Sequence, residues 1–121
     1  MNPELIIRID KDAARGDVYT LVRAFSRCGV TVPAGFQSDG ASVPRFFWRA
    51  VFPPGDVHAL AGAFLHDYVY RTHPAGWTRE EADRTFREVI HADGVPLFRA
   101  WLAWLGVRLF GLSAWNAGGK S

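Results

Sequence analysis

The stretch AGAFLHDYVYR, residues 61–71, is the most informative short segment of this chain. Nearly all of its side chains are apolar or small, which is typical of a helix buried at the centre of a domain. His66 and Asp67 stand in its middle, although burying ionisable groups is costly unless they have partners. The segment predicts a central helix over about residues 57–71 and raises the question of what these two side chains contact.

Two further helices are predicted after this segment. Thr78 and Glu81 have the spacing of a capping box, which marks the start of a helix over about residues 78–92. A third helix is predicted over about residues 96–110. We expect its tryptophans to lie in the core, although Trp101 and Trp104 with their flanking arginines would also suit a lipid-facing belt. The short connection between the first two helices predicts an antiparallel hairpin.

The N-terminal third is rich in β-branched and aromatic residues, which favour strands. Three runs predict strands within about residues 4–36: ELIIRID (4–10), DVYTLVRAF (17–25) and GVTVPAGF (29–36). A loop and a short helix are expected over about residues 37–52. The predicted fold class is α+β, with a small N-terminal antiparallel β-sheet or hairpin followed by a bundle of three main helices in a single domain over residues 1–121.

Composition restricts the classes of protein to which this chain can belong. Of its 121 residues only Cys28 is a cysteine, so an internal disulfide framework is excluded. The net charge of +2 is too small to indicate nucleic acid, and we expect no nucleic-acid partner. The N-terminus lacks the pattern of a signal peptide, and the apolar run AWLAWLGV (100–107) is far shorter than the ~20 residues of a bilayer-spanning helix. The protein is therefore expected not to be transmembrane.

The helical spacing brings a set of chemically useful side chains together. His66 and Tyr70 are four residues apart and share a face of the first helix, while Asp83 lies on the inward stripe of the second. A buried carboxylate needs a partner, and His66 is the nearest suitable one. Such a His–Asp pair can act as a general base on water, because the carboxylate orients the imidazole and supports its protonated form.

A cation site is predicted beside this pair. Asp67 points away from the face of His66, and the loop GFQSDGASVP supplies Asp39 and backbone carbonyls around Gly40. Hard cations prefer such oxygen ligands, so we expect Ca²⁺ or another divalent cation and no organic cofactor.

Each of these features also has a plain structural interpretation. A histidine and an aspartate on buried helices often form a hydrogen-bond network that performs no chemistry. Asp39-Gly40 is a common turn sequence, and Ser42 is better explained as a helix cap than as a nucleophile. The four histidines do not have the spacing of a zinc site.

The chain resembles a family of small phage and prophage proteins known as domain-of-unknown-function family 1353. Four motifs carry the resemblance: VPAGFQSDGASVPR (32–45), FLHDYVYR (64–71), EADRTFREVI (81–90) and VRLFGLSAW (107–115). The resemblance implies a phage or prophage origin, and a location in the cytoplasm of a bacterial host or in the virion. It does not imply a reaction.

A narrower resemblance links the segment HDYVY to the active-site helix of the phospholipase A₂ family. It implies that His66 is the base that activates water, that Asp67 binds Ca²⁺, that Tyr70 supports the network and that Asp83 orients the histidine. The chain departs from that family at Val69, which replaces a disulfide-forming cysteine. The family's disulfides and its glycine-rich calcium loop are also missing.

Two hypotheses of function follow. The first is a metal-assisted hydrolase of esters or lipids, which would meet its substrate in a lipid or at the host envelope. The second is a non-enzymatic tail or baseplate accessory or host-interaction protein, which would bind other phage structural proteins or a host component. In the second case the His–Asp pair is structural.

Overall fold

The computed structural model describes residues 5–12, 16–38, 47, 51 and 58–119. The chain divides into two compact units, residues 1–39 and 40–121. The first unit contains β-strands and the second contains α-helices, so the predicted α+β class is confirmed.

Five short strands make up the N-terminal unit: β1 (Ile7–Asp12), β2 (Gly16–Leu21), β3 (Phe25–Arg27), β4 (Val30–Val32) and β5 (Gln37–Ser38). β2 pairs antiparallel with both β1 and β5, whereas β3 and β4 form a separate hairpin. The hairpin turns at Cys28 and Gly29, which both have positive φ angles of 55° and 78°, as a tight primed turn requires.

The run 17–25 was predicted as one strand, and that prediction was wrong. The strand ends at Leu21, whose backbone N–H donates to the carbonyl of Phe36 and whose carbonyl accepts from Gly35. Phe25 then begins a new strand opposite Val32. Propensity alone favoured one continuous strand, because it carries no information about which partner each residue finds.

The helical unit contains α1 (Leu60–Thr72), α2 (Arg79–Ala92), α3 (Leu97–Phe110) and the short α4 (Leu112–Ala117). The three predicted main helices are confirmed, and α4 is additional. Thr78 caps α2 as predicted, since its side chain accepts a 3.2 Å hydrogen bond from the backbone N–H of Glu81. None of the helices in the described ranges combines the length and apolar character needed to cross a bilayer.

Close contact between α1 and α2 fixes the register of these two helices, and with it the residues that face each other across their interface. A Cβ atom built on Gly62 would lie only 2.5 Å from Cγ2 of Ile90, so the two helices approach at this glycine. One turn further along α1, the ring of His66 packs 5.0 Å from the ring of Phe86. Because the helices run antiparallel, this register brings His66 to the level of Asp83.

The third helix packs through its small residues and not through its large ones. Ala100, Ala103, Gly106 and Val107 are buried, and a Cβ on Gly106 would collide with the ring of Phe47. Trp101 is 45% exposed, so the expectation that it lies in the core was wrong. Small residues allow close approach to the core cluster, and the bulky residues of this helix consequently point outward.

The last helix, α4, covers the end of α1. The ring of Trp115 stacks on His73 with centroids 3.7 Å apart and meets the ring of Tyr70 edge-on at 5.3 Å. Beyond the helix, the backbone N–H of Gly119 donates to the carbonyl of Arg71. This packing encloses the side of Tyr70 that faces away from α2.

Candidate functional site

His66 and Tyr70 lie one turn apart on α1, and both reach one carboxylate on α2. The Nε2 atom of His66 is 2.8 Å from Oδ1 of Asp83, and the Tyr70 hydroxyl donates a 2.5 Å hydrogen bond to the same oxygen. The imidazole and phenol rings are themselves in contact, with centroids 4.1 Å apart. The spacing of four residues therefore places two hydrogen-bonding groups side by side against Asp83.

The second carboxylate oxygen of Asp83 is bound from α3. Arg108 donates from Nη1 to Oδ2 at a distance of 2.8 Å. Asp83 is completely buried, at 0% exposure, yet its two oxygens accept from three side chains on two other helices. A buried carboxylate is tolerated when its lone pairs are satisfied in this way.

Arg79 closes the network at the end of α3. Its Nε donates to the Tyr70 hydroxyl at 3.2 Å, and its Nη2 donates to the carbonyls of Val107 and Arg108 at 2.9 and 2.8 Å. These carbonyls belong to the last turn of α3, where the negative end of the helix dipole makes a cation favourable. Arg79 thus joins the start of α2 to the end of α3.

The pKa of His66 is raised above its ordinary value of 6.5. Burial alone lowers this pKa, but hydrogen bonding and the negative charges of Asp67 and Asp83 outweigh the effect of burial. The Nδ1 atom, on the opposite side of the ring from Asp83, lies 3.9 Å from Oδ1 of Asp67. The imidazole is therefore held between two carboxylates, which favour its protonated form.

The other groups of the network are shifted in the direction that keeps Asp83 charged. Burial raises the pKa of Asp83, but hydrogen bonds from His66 and Tyr70, the charge of His66 and the hydrogen bond from Arg108 bring it below the ordinary value of 3.8. Burial and the neighbouring carboxylate raise the pKa of Tyr70, so its hydroxyl remains a donor. The hydrogen bond to Asp83 likewise raises the pKa of Arg108.

Of the residues expected to form the site, the structure brings His66, Tyr70 and Asp83 together and places Asp67 on the other side of the imidazole. Asp39 and Gly40, the remaining expected cation ligands, lie outside the described residues, as does Ser42. Within the part of the chain that is described, no three His, Cys, Asp or Glu side chains converge as metal ligands. The cation site stays a prediction.

Sequence reasoning missed two members of the network. The first is Arg79, whose side chain is only 11% exposed and turns toward α3. Arg108 was not considered. A signal for it exists in the sequence, since a basic residue inside the apolar run VRLF needs an anionic partner, and Asp83 has a second oxygen that His66 does not use.

The fold and the network define a small α+β protein in which a buried His–Asp–Tyr–Arg cluster joins three helices. The chain belongs to the family described as Protein of unknown function (DUF1353), whose sequence profile matches residues 19–107. This range contains every member of the cluster except Arg108, which follows it directly.

The chain is also similar to the uncharacterized protein y4jT of Sinorhizobium fredii (strain NBRC 101917 / NGR234), with 32% identity over 80 residues. The match covers 66% of this chain but only 23% of y4jT, so the chain spans about a quarter of the length of this relative. No solved structure is significantly similar to the chain.

Proposed function

We propose that the protein is a hydrolase in which His66 is the general base for water, with Asp83 as its positioning residue. The observation that carries the proposal is the 2.8 Å contact between His66 Nε2 and Asp83 Oδ1. With Nε2 bound to the carboxylate, the proton of the neutral imidazole resides on Nε2 and the lone pair of Nδ1 is the basic site. Asp83 then stabilises the imidazolium that forms when Nδ1 takes a proton from water.

The surroundings of Nδ1 suit this role. Its distance of 3.9 Å from Asp67 Oδ1 is too long for a direct hydrogen bond. The same distance is spanned by one water molecule with ordinary hydrogen bonds of about 2.8 Å to each atom. Such a water would give one proton to Nδ1 and attack an ester carbonyl. The ester C–O bond would then break, and the departing alkoxide would take the proton from Nδ1, which restores the neutral base. A divalent cation bound by Asp67 would polarise that carbonyl.

The raised pKa of His66 predicts a pH signature for this reaction. The base acts in its neutral form, so the rate rises with pH through a pKa above 6.5. Replacing Asp83 by Asn removes a charge that raises this pKa. The variant should therefore be slower at its plateau, and its pH limb should lie at lower pH than that of the wild type.

The test is hydrolysis of a short-chain chromogenic ester and of phospholipid in mixed micelles, with EDTA or with Ca²⁺, Mg²⁺ or Zn²⁺. His66→Gln should lower kcat/KM by about 10²–10⁴-fold, the usual contribution of a general base. His91→Gln is the matched control, because His91 lies exposed on α2 and its ring is hydrogen-bonded to a backbone carbonyl, that of Val95. Equal rates for His66→Gln and wild type would refute the proposal, as would a wild type inactive on every ester.

A second function is favoured by a different observation, the complete burial of Asp83 between three helices. In this case the network holds the helices in register and the protein is a non-enzymatic accessory or host-interaction protein of a phage. His66 is only 4% exposed, which suits a structural role. This function predicts no ester hydrolysis, and no change in melting temperature with divalent cations in either wild type or Asp67→Asn.

A further inference from the structure

The outward side of α3 is an apolar surface of unusual continuity. Its members are Phe98, Trp101, Leu102, Leu105 and Leu109, all at least 41% exposed; they are called the outer face below. At 100° per residue they fall within an arc of about 100°, opposite the buried Ala100, Ala103 and Val107. Contiguous exposed apolar surface of this kind marks a site of interaction.

The exposure of these residues is large. Phe98 and Leu109 are each 64% exposed, and they stand about 16 Å apart along the helix axis. A helix that is apolar all round normally has both sides covered by apolar material. Within the described part of the chain only the inner side of α3 is buried, so the outer face is available to a partner.

The charges beside the outer face indicate the chemistry of that partner. From residue 94 to the end the chain contains no Asp or Glu. Arg87 of α2 lies 4.0 Å above the ring of Trp101, and Arg99 lies 5.6 Å from the ring of Phe98. Arginines next to exposed aromatic rings complement an anionic, partly apolar surface.

We propose that the outer face docks on a membrane surface containing anionic lipids. The helix has 14 residues, whereas a helix that spans a bilayer needs about 20. It would therefore lie in the plane of the interface. Leu105, Leu109 and Phe98 enter the acyl region, Trp101 sits at the headgroup level, and Arg87 and Arg99 meet the phosphates. This placement satisfies both the apolar and the charged part of the surface.

A second copy of the chain fits the outer face less well. Two outer faces packed against each other would bring Arg99 of both copies into one interface. The segment from residue 94 onward offers no carboxylate to balance them, and Glu88 of the neighbouring α2 is already paired with Arg84 and Arg87. Like charges across an interface are unfavourable, whereas an anionic lipid surface neutralises them. The docking does not depend on hydrolysis at His66, so the wild type should bind anionic vesicles even if it cleaves no ester.

The experiment is co-sedimentation with vesicles of phosphatidylcholine alone and of phosphatidylcholine with phosphatidylglycerol. Each basic residue near an anionic surface contributes about fivefold to binding, so two arginines predict at least about tenfold tighter binding to the anionic vesicles. The double variant Phe98→Glu/Leu109→Glu should lose more than tenfold of this binding. The double variant Ala75→Glu/Ala92→Glu adds the same charge at exposed positions outside the outer face and should bind the anionic vesicles as the wild type does.

A second measurement does not depend on the folding of the glutamate variants. Brominated lipids should quench tryptophan fluorescence of the wild type, and Trp101→Phe should remove most of that quenching. Equal binding to neutral and anionic vesicles, or none to either, would overturn the proposal. It would also be overturned if the wild type were a dimer that Phe98→Glu/Leu109→Glu converts to a monomer, because the outer face would then belong to a second copy.

Discussion

Replacing Asp83 by Asn should destabilise the protein strongly, and in a way that depends on pH. The side chain is completely buried and accepts from His66, Tyr70 and Arg108. Asn keeps the volume and one acceptor oxygen, but it removes the charge that pairs with His66 and Arg108. Hydrogen bonds to charged groups contribute about 1.5–3 kcal/mol each, and loss of one partner of a buried pair costs about 3–5 kcal/mol.

The lower part of this range applies to Arg108, because its side chain is 25% exposed and its guanidinium group can be solvated by water after the pair is lost. His66 cannot do so at 2% side-chain exposure and must lose its proton instead. We expect a loss of about 2–4 kcal/mol in the free energy of unfolding, or about 10 °C in melting temperature for a domain of this size.

The sign of the pH dependence follows from the two pKa shifts. The folded-state pKa of His66 is raised, so its contribution is fully present below 6.5 and is lost as pH rises through the folded value. The folded-state pKa of Asp83 is lowered, so its contribution is present above 3.8 and is lost as pH falls through the folded value. The stability difference between wild type and Asp83→Asn should therefore be largest between about pH 4 and 6.5. The stability difference should become smaller below and above this pH range. It should not vanish at alkaline pH, because Arg108 remains charged there.

The assay is urea unfolding of wild type and Asp83→Asn at several pH values from 3 to 9. Glu88→Gln on the same helix is the matched control, since Glu88 is exposed and its ion pairs with Arg84 and Arg87 are 3.9 and 3.7 Å long. This control should change stability by less than about 0.5 kcal/mol. A loss for Asp83→Asn as small as that of the control, or one that does not vary with pH, would refute the reasoning.

Three further changes test the packing around the site. Gly62→Ala places a methyl group 2.5 Å from a side-chain carbon of Ile90 and should cost about 1–3 kcal/mol, measured by urea unfolding. Thr78→Ala removes the side-chain acceptor at the start of α2 and should cost about 1 kcal/mol, whereas Thr78→Ser keeps the acceptor and should leave stability nearly unchanged. Thermal melting of both variants distinguishes loss of the capping hydrogen bond from loss of side-chain volume. Tyr70→Phe removes one donor from Asp83 and should cost about 1–3 kcal/mol, and the same variant should shift the pKa of His66, followed by NMR of the ring protons. The contact at Gly62 would be contradicted if Gly62→Ala left the free energy of unfolding unchanged. The cap would be contradicted by equal melting temperatures of the two Thr78 variants, and the Tyr70 contact by a His66 pKa that Tyr70→Phe does not change.

The helices could be predicted because their signals are local. Thr78 and Glu81 mark the start of α2 by their own spacing, and the apolar stripe of that helix identifies its inner face. The contact of His66 with Asp83 follows from the same information, because a carboxylate on an apolar stripe needs a partner on the neighbouring helix. These inferences use only residues within a few turns of one hairpin.

The third helix could not be oriented in the same way. It carries apolar residues on every side, so periodicity does not identify the buried face, and size appeared to favour Trp101 as a core residue. The structure buries Ala100, Ala103 and Gly106 instead, because their small side chains allow α3 to approach the core. The spacing of these small residues by three was the available signal. Arg79 was missed for a related reason, since the direction of a long side chain depends on the tertiary partners that it finds.

The energetics of buried ion networks separates the two proposed roles. Removing one partner is costly whether or not the network performs chemistry, so the instability of single variants at His66 or Asp83 is expected under both. Replacing a whole buried network by apolar residues of similar volume is often neutral or stabilising. If the cluster only holds α1, α2 and α3 together, changing His66, Tyr70, Asp83 and Arg108 jointly to Leu, Phe, Leu and Met should keep the fold and whatever partner binding the protein has. A purely structural role therefore has an apolar substitute, whereas a general base has none, and loss of hydrolysis from such a stable variant would assign the cluster to chemistry.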